Sequence, residues 1–478
     1  MVEEQKKFYI TTPIYYVNDK PHIGHAYTTI AADVVARLHR LLGEDVFFLT
    51  GTDEHGAKIA QAAEKSGKSP KEFVDEISAK FSFAWDSLGI APDKFIRTTD
   101  KEHIVAVGKF LNKLKDSGKL YEGEYEGLYC VGHEAFIKES ELVNGLCPEH
   151  KTKPLHLKEK NWFFKLSEYQ KILEEKISDN DFVIRPEARR NEVLSFVRQG
   201  LEDIAISRPN VKWGIPLPWD ENQTVYVWVE ALFNYCSAIG YGEDEENFRK
   251  FWPADAHLMA KDIIKFHCVI WPALLLAIGE EIPKKVFAHG FFTVDGQKMS
   301  KTVGNVIDPN DWVAKYGPDA VRYFLLREVP FGQDGDVSEE KLKARFNGDL
   351  ANGLGNLFSR VTDMIEKYLD GQIEDFADSP KDLSGAWESF YNFDFSEGLV
   401  LIWKEIAWAN QLIDKSKPWE LVKTDPDKVK TLLLSLAALL LEIAAKLSPI
   451  MPETAQKIKS VLESGEIKKP EPLFQKID

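Results

Sequence analysis

Residues 8–56, FYITTPIYYVNDKPHIGHAYTTIAADVVARLHRLLGEDVFFLTGTDEHG, decide the fold class, because the period of their apolar side chains changes twice. Phe8–Ile10 predicts a short strand, which a proline-containing loop follows. Apolar side chains then recur at helical spacing over residues 30–41, and the run 46–49 predicts a second strand that ends in a glycine-rich turn at 51–56. Strand, helix and strand in this order predict two parallel strands joined by a crossover helix.

The rest of the chain divides into an insertion, a continuation of the α/β pattern and a helical region. Gly, Tyr, Cys, His and Glu crowd residues 121–156 without a long periodic helix, which indicates an insertion. The α/β pattern resumes with Val225–Val229 and continues with Lys285–Ala288, whereas beyond about Leu342 only helical periodicity is seen. We therefore predict an α/β protein with a Rossmann-like, doubly wound parallel sheet, a small inserted domain and a C-terminal α-helical bundle.

The composition is that of a globular protein with an excess of acid. The 478 residues are 44% hydrophobic, and 60 Lys and Arg stand against 76 Asp and Glu, a net charge of -16. This balance argues against disorder, against a fibre and against nucleic-acid binding by general electrostatic attraction. The most apolar stretch, Leu432–Leu441, is much shorter than the roughly 20 residues that cross a bilayer, and no signal-peptide core is seen, so we expect a soluble, cytoplasmic protein. Cys236 and Cys268 lie in apolar runs and are expected in the core.

The segment Pro21–His25 lies where the loop passes into the predicted helix after the first strand. His22 and His25 are three residues apart, so they share one helical face beside the exposed N–H groups of a helix N-terminus, a place that favours phosphate. Gly24 has no side chain and leaves room for a base or a ribose against the backbone. The alternatives are a surface histidine pair or half of a metal site.

A second motif, GQKMSKT at 296–302, follows the strand-like run 286–293. Lys298 and Lys301 give this glycine-flanked loop two mobile cationic side chains, although a lone K-x-x-K is more often a solvated basic turn. Because both motifs follow strands, we expect them to meet at the carboxyl edge of the sheet, where doubly wound folds bind nucleotides.

These two motifs, HIGH at 22–25 and KMSKT at 298–302, resemble the two signatures of the class I aminoacyl-tRNA synthetases; the second signature usually ends in serine, and the threonine here keeps the hydroxyl. Within that class the chain resembles the methionyl-tRNA synthetases over nearly its whole length. The stretches that carry this likeness are TTPIYYVN at 11–18, TGTDEHG at 50–56, YVWVEAL at 226–232 and KDI at 261–263.

The resemblance implies ATP-dependent activation of L-methionine to methionyl-adenylate and transfer to the terminal adenosine of tRNA(Met), supplying protein synthesis including its initiation. Both the methionine carboxylate and the ATP α-phosphate are anionic, so catalysis should rest on charge neutralisation and alignment rather than on covalent attack by the protein. Mg²⁺ would accompany ATP, held mainly by phosphates and water. The implied ATP-binding residues are His22, Gly24, His25, Asp262, Lys298, Ser300 and Lys301, with His22, His25, Lys298 and Lys301 as the catalytic residues.

The resemblance also implies a pocket for the methionine side chain, with Asp53 holding the α-ammonium group. Aromatic faces suit a polarisable thioether. From pattern alone, ordinary core packing remains open for the apolar residues and turn capping for Asp53. The implied methionine-binding residues are Pro13, Ile14, Tyr16, Asp53, Trp228, Ala231, Leu232, Tyr235, Ile263, Phe266 and His267.

Two C-x-x-H pairs, Cys130 with His133 and Cys147 with His150, are separated by 13 residues in the insertion. Paired soft ligands at this spacing are typical of a four-ligand structural zinc site. His133 departs from the Cys that related synthetases usually carry there. The alternative is a knuckle that folds by loop packing around two reduced cysteines. We expect the insertion to guide the acceptor end of the tRNA.

In the helical region the resemblance implies anticodon recognition by Asn356, Arg360 and Trp419. The first two are four residues apart on one helical face, where an amide and a guanidinium suit base edges, and the indole offers a stacking surface. The alternatives are that Asn356 caps or packs between helices, that Arg360 pairs with Asp363, and that Trp419 is half-buried core.

The expected domains are the first half of the Rossmann domain at 1–117, a connective insertion at 118–222 with the zinc knuckle at about 126–157, the second half with the lysine loop at 223–345, and an anticodon-binding domain at 346–478. Since no further domain follows the bundle, we expect a monomer. The alternatives within the class are cysteinyl-, leucyl- and valyl-tRNA synthetases. Outside it, a nucleotidyltransferase that makes small adenylates, or a non-catalytic RNA-binding relative, also fits part of the pattern.

Overall fold

A computed structural model describes most of the chain, and its compact parts are two. The sheet unit comprises Met1–Pro21, Glu44–Phe83 and Pro92–His289, and the helical unit comprises His22–Gly43, Ala84–Ala91 and Gly290–Asp478. The side chains of Tyr125, Ala135 and Phe136 lie outside the description. The described residues are 6–130, 135–148, 151–209, 211–299, 304–373, 376 and 378–477.

The described strands contain between two and eleven residues. They are β1 (Lys7–Tyr16), β2 (Asp45–Asp53), β3 (Lys94–Arg97), β4 (Leu120–Cys130), β5 (Ala135–Ile137), β6 (Leu155–Phe164), β7 (Val183–Arg185), β8 (Ile204–Ala205), β9 (Ser207–Arg208), β10 (Pro216–Leu217), β11 (Asp220–Val225), β12 (Ala256–Ala260), β13 (Lys285–His289), β14 (Phe292–Val294), β15 (Gln297–Lys298) and β16 (Gly335–Val337).

The longest helices lie near the N-terminus and in the C-terminal third. The α-helices are α1 (Ile23–Leu41), α2 (Ala57–Lys65), α3 (Pro70–Ser87), α4 (Lys101–Asp116), α5 (Gln170–Ser178), α6 (Glu187–Arg198), α7 (Val227–Leu232), α8 (Asn234–Ser237), α9 (Glu245–Phe251), α10 (Trp271–Ala277), α11 (Pro309–Tyr316), α12 (Pro318–Glu328), α13 (Glu339–Arg345), α14 (Asn356–Leu369), α15 (Ser384–Tyr391), α16 (Phe395–Ser416), α17 (Pro418–Leu421), α18 (Pro426–Leu447) and α19 (Pro452–Leu462). Among the described helices, none combines the length and apolarity needed to cross a membrane.

The sheet unit is built on a six-stranded sheet with the order β3-β2-β1-β12-β13-β7, and every neighbouring pair is parallel. The chain builds outward from β1 through β2 to β3 and later on the other side through β12 to β13, so the order switches between β1 and β12. The predicted doubly wound parallel sheet is confirmed. Ligands of such sheets bind at the carboxyl ends of the strands beside this switch.

Strands β1 and β2 are longer than their apolar runs predict. Their register shifts between Thr11 and Ile14, at a proline that cannot donate to the ladder, and pairing then resumes with Tyr16 beside Asp53. The predicted turn at 51–56 is therefore wrong in its first half, which is still strand. Gly51 is needed there because a Cβ would lie 2.0 Å from the carbonyl oxygen of Ile96 on β3.

The prediction that the run Val225–Val229 resumes the parallel sheet is wrong. Val225 ends β11, which belongs to a small antiparallel sheet with β9 and β10, and α7 begins at Val227. A short run of apolar residues shows no clear period, so its sequence pattern does not distinguish a buried strand from a buried helix. The parallel sheet resumes instead at β12, and the predicted strand at Lys285–Ala288 is confirmed as β13.

The insertion contains an antiparallel sheet with the order β5-β4-β6-β8. On one face of the β4–β6 ribbon, opposite charges meet across the strands, with Glu124 3.2 Å from Lys158 and Glu122 beside Lys160. Such pairs fix register on a solvent-facing ribbon.

The helical region is confirmed as a bundle in the helical unit. The region beyond about Leu342, where the sequence shows only helical periodicity, contains the long helices α14, α16 and α18, and a π-helical segment, Phe346–Gly355, precedes α14. Each long helix has an apolar face in the core, as in α18, where Leu433, Leu440 and Leu447 are fully buried. No strand follows β16 among the described residues.

Candidate functional site

Helix α1 begins beside His22, whose side chain caps it. Nδ1 of His22 accepts a hydrogen bond from the N–H of Gly24 at 3.1 Å, and Nδ1 of His25 accepts one from the N–H of His22 at 3.3 Å. The two imidazole rings stack with centroids 3.7 Å apart. The imidazoles act here as Ser and Glu do in an ordinary capping box, so the first turn of the helix has one arrangement.

This cap decides the tautomer of both histidines. A backbone N–H only donates, so each Nδ1 is an acceptor, and the proton of each neutral ring lies on Nε2. Burial, together with the neighbouring His22, lowers the pKa of His25 well below its ordinary value, so the His25 ring is neutral at pH 7. A ring of this tautomer donates a hydrogen bond from Nε2 to an anionic oxygen.

Residues 297 and 298 of the lysine motif form β15 of a small sheet in the helical unit, with the order β15-β14-β16. Asp336 on β16 holds its stem, accepting hydrogen bonds from the N–H of Gly296 at 2.6 Å and from Oγ1 of Thr293 at 2.7 Å. Lys298 is exposed, and a Cβ at Gly24 would lie 3.5 Å from the Cε of Met299, so Met299 of the second motif lies close to Gly24 of the first. Ser300, Lys301 and Thr302 lie outside the described residues.

Asp53 lies at the carboxyl end of β2, beside Tyr16 at the end of β1, and is 4% exposed. The next residue, Glu54, anchors this strand end. Its carboxylate accepts hydrogen bonds from Nε and Nη2 of Arg97 at 2.6 and 2.9 Å, and its carbonyl oxygen accepts one from Nε1 of Trp213 at 2.6 Å. The position of Asp53 is therefore fixed before any ligand arrives.

Two of the aromatic residues predicted for the methionine pocket form a wall in the sheet unit. Trp228 on α7 and Phe266 stack with ring centroids 4.4 Å apart, and both are partly exposed. Nε2 of His267 lies 2.8 Å from the Tyr235 hydroxyl, and its Nδ1 lies 3.1 Å from the carbonyl oxygen of Ile263. Burial lowers the pKa of His267 to about 4, so the ring is neutral at pH 7 and this wall carries no charge.

The remaining residues of the sheet unit that were predicted to bind methionine or ATP lie on β1, on α7 and directly after β12. The carboxyl ends of β2, β1 and β12 are neighbours in the sheet, and an exposed turn with Asp262 follows β12 directly. Ile14 is partly buried, and the side chains of Pro13, Ala231 and Leu232 are buried.

The three predicted anticodon residues lie in the helical unit, and two of them are tied to α16. Nδ2 of Asn356 donates to Oδ1 of Asn410 at 3.0 Å, and Nη2 of Arg360 donates to Oδ1 of Asp414 at 2.6 Å. Trp419 is 44% exposed.

The alternatives for these residues fare differently. Asp363 pairs with Lys367 and Lys469 rather than with Arg360, so that alternative is wrong. Trp419 is 44% exposed, so the alternative of a half-buried side chain stays open. Asn356 does pack between helices, because its amide bridges α14 to α16.

Cys130 and Cys147 are both buried and reduced, whereas His133 and His150 lie outside the described residues. Within the described ranges, no group of three or more His, Cys, Asp or Glu is placed to hold a metal ion. Cys236 and Cys268 are fully buried, as expected for core residues, and burial raises the pKa of both thiols well above the usual range.

Comparison with known proteins assigns the family. A family model described as tRNA synthetases class I (M) matches residues 8–154 and 150–362. A methionine–tRNA ligase of Thermotoga maritima is 45% identical over 99% of this chain and 80% of its own length, and one of Caldanaerobacter subterraneus is 48% identical over 95% of this chain and 73% of its own. The chain belongs to the methionyl-tRNA synthetases. Its enzyme class is therefore that of a methionine–tRNA ligase, in class I of the aminoacyl-tRNA synthetases.

Solved methionyl-tRNA synthetases share the whole fold. The Mycobacterium tuberculosis enzyme bound by methionyl-adenylate is 39% identical and covers 98% of this chain and 100% of its own, with a TM-score of 0.92. A second structure of that enzyme in complex with methionyl-adenylate is 41% identical, with a TM-score of 0.90 over 96% of this chain and 94% of its own.

The structure also shows buried charged groups that sequence reasoning missed beside the predicted methionine residues. Glu230 lies between His55 and His103. Arg208 is 6% exposed, with its guanidinium carbon 4.5 Å from the centroid of the Tyr226 ring. A charged residue inside an apolar run, such as Glu230 in YVWVEAL, is the one signal that could have marked the first of these.

Proposed function

We propose that this chain activates L-methionine with ATP and transfers it to tRNA(Met), with the residues assigned below. The methionine carboxylate attacks the α-phosphorus of ATP, the bond to pyrophosphate breaks, and methionyl-adenylate forms. The 2′-hydroxyl of the terminal adenosine then attacks the activated carbonyl, and AMP leaves. The observation that carries the proposal is the histidine-capped start of α1 beside the lysine motif.

The adenylation step uses groups of the helical unit together with Asp262 of the sheet unit. His22 and His25 donate from Nε2 to ATP phosphate oxygens, in the tautomer that the cap imposes, at a helix N-terminus that itself favours anions. Gly24 lets the nucleotide approach the backbone, and Lys298 and Lys301 neutralise the pyrophosphate charge that develops in the transition state. Ser300 is also assigned to ATP binding. Asp262 binds the ribose hydroxyls, and Mg²⁺ would accompany ATP, held mainly by phosphates and water.

Methionine binds at the residues of the sheet unit. The carboxylate of Asp53 receives the α-ammonium group, and the stacked Trp228 and Phe266 receive the thioether side chain. Sulfur–aromatic contacts contribute about 0.3–1.5 kcal/mol each. The uncharged His267 keeps Tyr235 in place without offering the apolar side chain a charge. The other residues of this pocket are Pro13, Ile14, Tyr16, Ala231, Leu232 and Ile263.

The helical region reads the anticodon through Asn356, Arg360 and Trp419. Residues 346–478 contain 15 Lys and Arg against 22 Asp and Glu, a net charge of -7, so recognition depends on a few placed groups rather than on general attraction. The exposed indole stacks on an unpaired base, and the tethered amide and guanidinium present donors to base edges.

In this proposal Cys130, His133, Cys147 and His150 would hold a zinc ion, which would stabilise the insertion. The two buried, reduced thiols fit such a site, because a thiolate pair with two imidazoles is a donor set for tetrahedral zinc.

The domain limits proposed are 1–117, 118–222, 223–345 and 346–478. We further propose that the protein acts as a monomer in the cytoplasm, where its tRNA substrate is used.

Methionine-dependent ATP–pyrophosphate exchange tests the proposal. Exchange measured against a panel of amino acids should be supported by methionine above all others, and addition of tRNA(Met) should make AMP release depend on the tRNA. Exchange that does not depend on methionine would contradict the assigned activity, and AMP release that does not depend on tRNA would favour a small-molecule nucleotidyltransferase.

Metal analysis of freshly purified protein, with a chelator-treated sample as control, should find about one zinc per chain. A zinc content at the level of the chelated control would end that claim.

A further inference from the structure

A buried carboxylate lies between two buried imidazoles in the sheet unit. Oε1 of Glu230 lies 2.8 Å from Nδ1 of His55, and its Oε2 lies 3.1 Å from Nε2 of His103. All three side chains are nearly inaccessible, with residue exposures of 1%, 5% and 0%. A carboxylate buried this deeply lowers the stability of the fold unless it is fully hydrogen-bonded. Its position on α7 does not by itself explain why a charged side chain is kept there.

Both imidazoles present a ring nitrogen to the Glu230 carboxylate. Nδ1 of His103 lies 2.8 Å from Oγ of Ser237, whose hydroxyl donates to the carbonyl oxygen of Asn234 at 3.2 Å. Nε2 of His103 and Nδ1 of His55 are the nitrogens that face Glu230, and each donates to the carboxylate when it carries a proton. Burial alone would raise the pKa of Glu230, but the charge of His55 and the hydrogen bonds from His103 and His55 outweigh it, and the pKa lies below its ordinary value. The carboxyl group is ionised and receives both imidazole donors.

The network joins the two parts of the proposed methionine site. His55 lies two residues after Asp53, the proposed partner of the α-ammonium group, and just beyond the end of β2. Glu230 lies on α7, two residues after Trp228 and directly before the buried Ala231. His103 lies on α4 and fixes Glu230 from outside the pocket. A displacement of the Glu230 carboxylate would therefore shift both the strand end that carries Asp53 and the helix that carries Trp228.

We propose that Glu230 is a positioning residue that sets the distance between the ammonium anchor at Asp53 and the side-chain wall on α7. It touches no substrate itself. The inference rests on the proposed function, since it assigns a role within the methionine site.

Substitutions that keep or remove single donors test this role. Glu230→Gln keeps the size of the side chain and loses the charge. His55→Asn and His103→Gln keep a nitrogen donor where Nδ1 and Nε2 stand, whereas His55→Ala and His103→Ala remove it. Each variant is assayed for KM of methionine and of ATP and for kcat in ATP–pyrophosphate exchange, and its urea midpoint is compared with that of the parent.

Glu230→Gln and the two alanine variants should raise KM for methionine about tenfold to a hundredfold, the range that one charge-assisted hydrogen bond corresponds to, with KM for ATP within about twofold. The Asn and Gln variants of the histidines should restore KM for methionine to within about threefold of the parent. If methionine and ATP constants rise together, or if the donor-keeping variants are as impaired as the alanine variants, the network is only an anchor of the fold and the inference is wrong.

A double-mutant cycle gives a second, independent test. Asp53→Asn and Glu230→Gln should be non-additive in the calorimetric Kd for methionine, because each misplaces or weakens the same ammonium contact. Additive effects would contradict the inference. Failure of the proposed function looks different, since the parent protein would then show no methionine-dependent exchange at all.

Discussion

Removal of the Asp33 carboxylate should destabilise the helical unit strongly, because Asp33 and Arg322 form an ion pair in which both side chains are 0% exposed. Oδ2 of Asp33 accepts from Nη2 of Arg322 at 2.7 Å and from Nε of Arg37 at 2.7 Å, and Oδ1 accepts from the N–H of Ala91 at 3.1 Å. The guanidinium also donates to the carbonyl oxygen of Ile450 at 2.7 Å. One buried pair thus ties α1 to α12 and to the segment before α19.

The size of the destabilisation follows from the buried Arg322 guanidinium that the substitution leaves without a counter-charge. Asp33→Ala leaves the buried guanidinium without its counter-charge, which costs about 3–5 kcal/mol. With a urea m-value of about 2–3 kcal/mol/M for a unit of this size, the midpoint of the helical unit should fall by about 1–2 M. Lys459→Ala is the matched control, because its ion pair with Glu463 is 4.0 Å long and exposed, and it should shift the midpoint by less than about 0.3 M.

Two probes are needed, since the two units can unfold separately. Far-ultraviolet circular dichroism follows the helices, and methionine-dependent exchange follows the active protein. The double variant Asp33→Leu with Arg322→Met removes both charges and should recover most of the loss, because the desolvation cost of the pair disappears with it. A midpoint for Asp33→Ala equal to that of Lys459→Ala, or a double variant less stable than Asp33→Ala, would refute the reasoning.

Four further predictions concern the site. Lys301→Ala should slow adenylate formation in single-turnover assays at least about tenfold with methionine affinity barely changed, since the contact strengthens only in the transition state. Gly24→Ala should slow the same step with no change in KM for methionine, because a Cβ would lie 2.9 Å from the Cε1 of His22 and disturb the cap. Trp419→Ala should keep pyrophosphate exchange and lose aminoacylation about tenfold or more, as expected for a stacking platform; loss of both would indicate damage to the fold. His267 has a pKa of about 4 when folded and about 6.5 when unfolded, so the unfolded chain binds the proton first and stability falls as pH drops from about 6.5 to 4. The parent should therefore lose about 2 kcal/mol more than His267→Asn between pH 7 and pH 5 in urea unfolding, and equal losses would contradict this.

Sequence reasoning predicts the architecture well where a period or a motif is long. The parallel sheet, the antiparallel insertion as a break in the pattern and the helical bundle all follow from side-chain periods that the backbone geometry imposes. It fails at Val225–Val229, where every side chain but that of Trp228 is buried. Without an alternation of buried and exposed side chains, the sequence pattern cannot distinguish a strand from a helix. It also fails at Gly51, which reads as a turn residue but is required in a strand by the close approach of Ile96.

The sequence by itself determined the family and the enzyme class, because motifs such as HIGH and KMSKT keep their groups at fixed spacing along the chain, and it predicted the residues that carry the chemistry. Only the tertiary structure decided which tautomer His22 and His25 adopt, which acid holds Arg360, and that Glu230 lies between His55 and His103. These contacts join residues that are far apart in the chain or depend on the direction of a single N–H group. Their partners are set by the packing of whole elements, which no local pattern of side chains encodes.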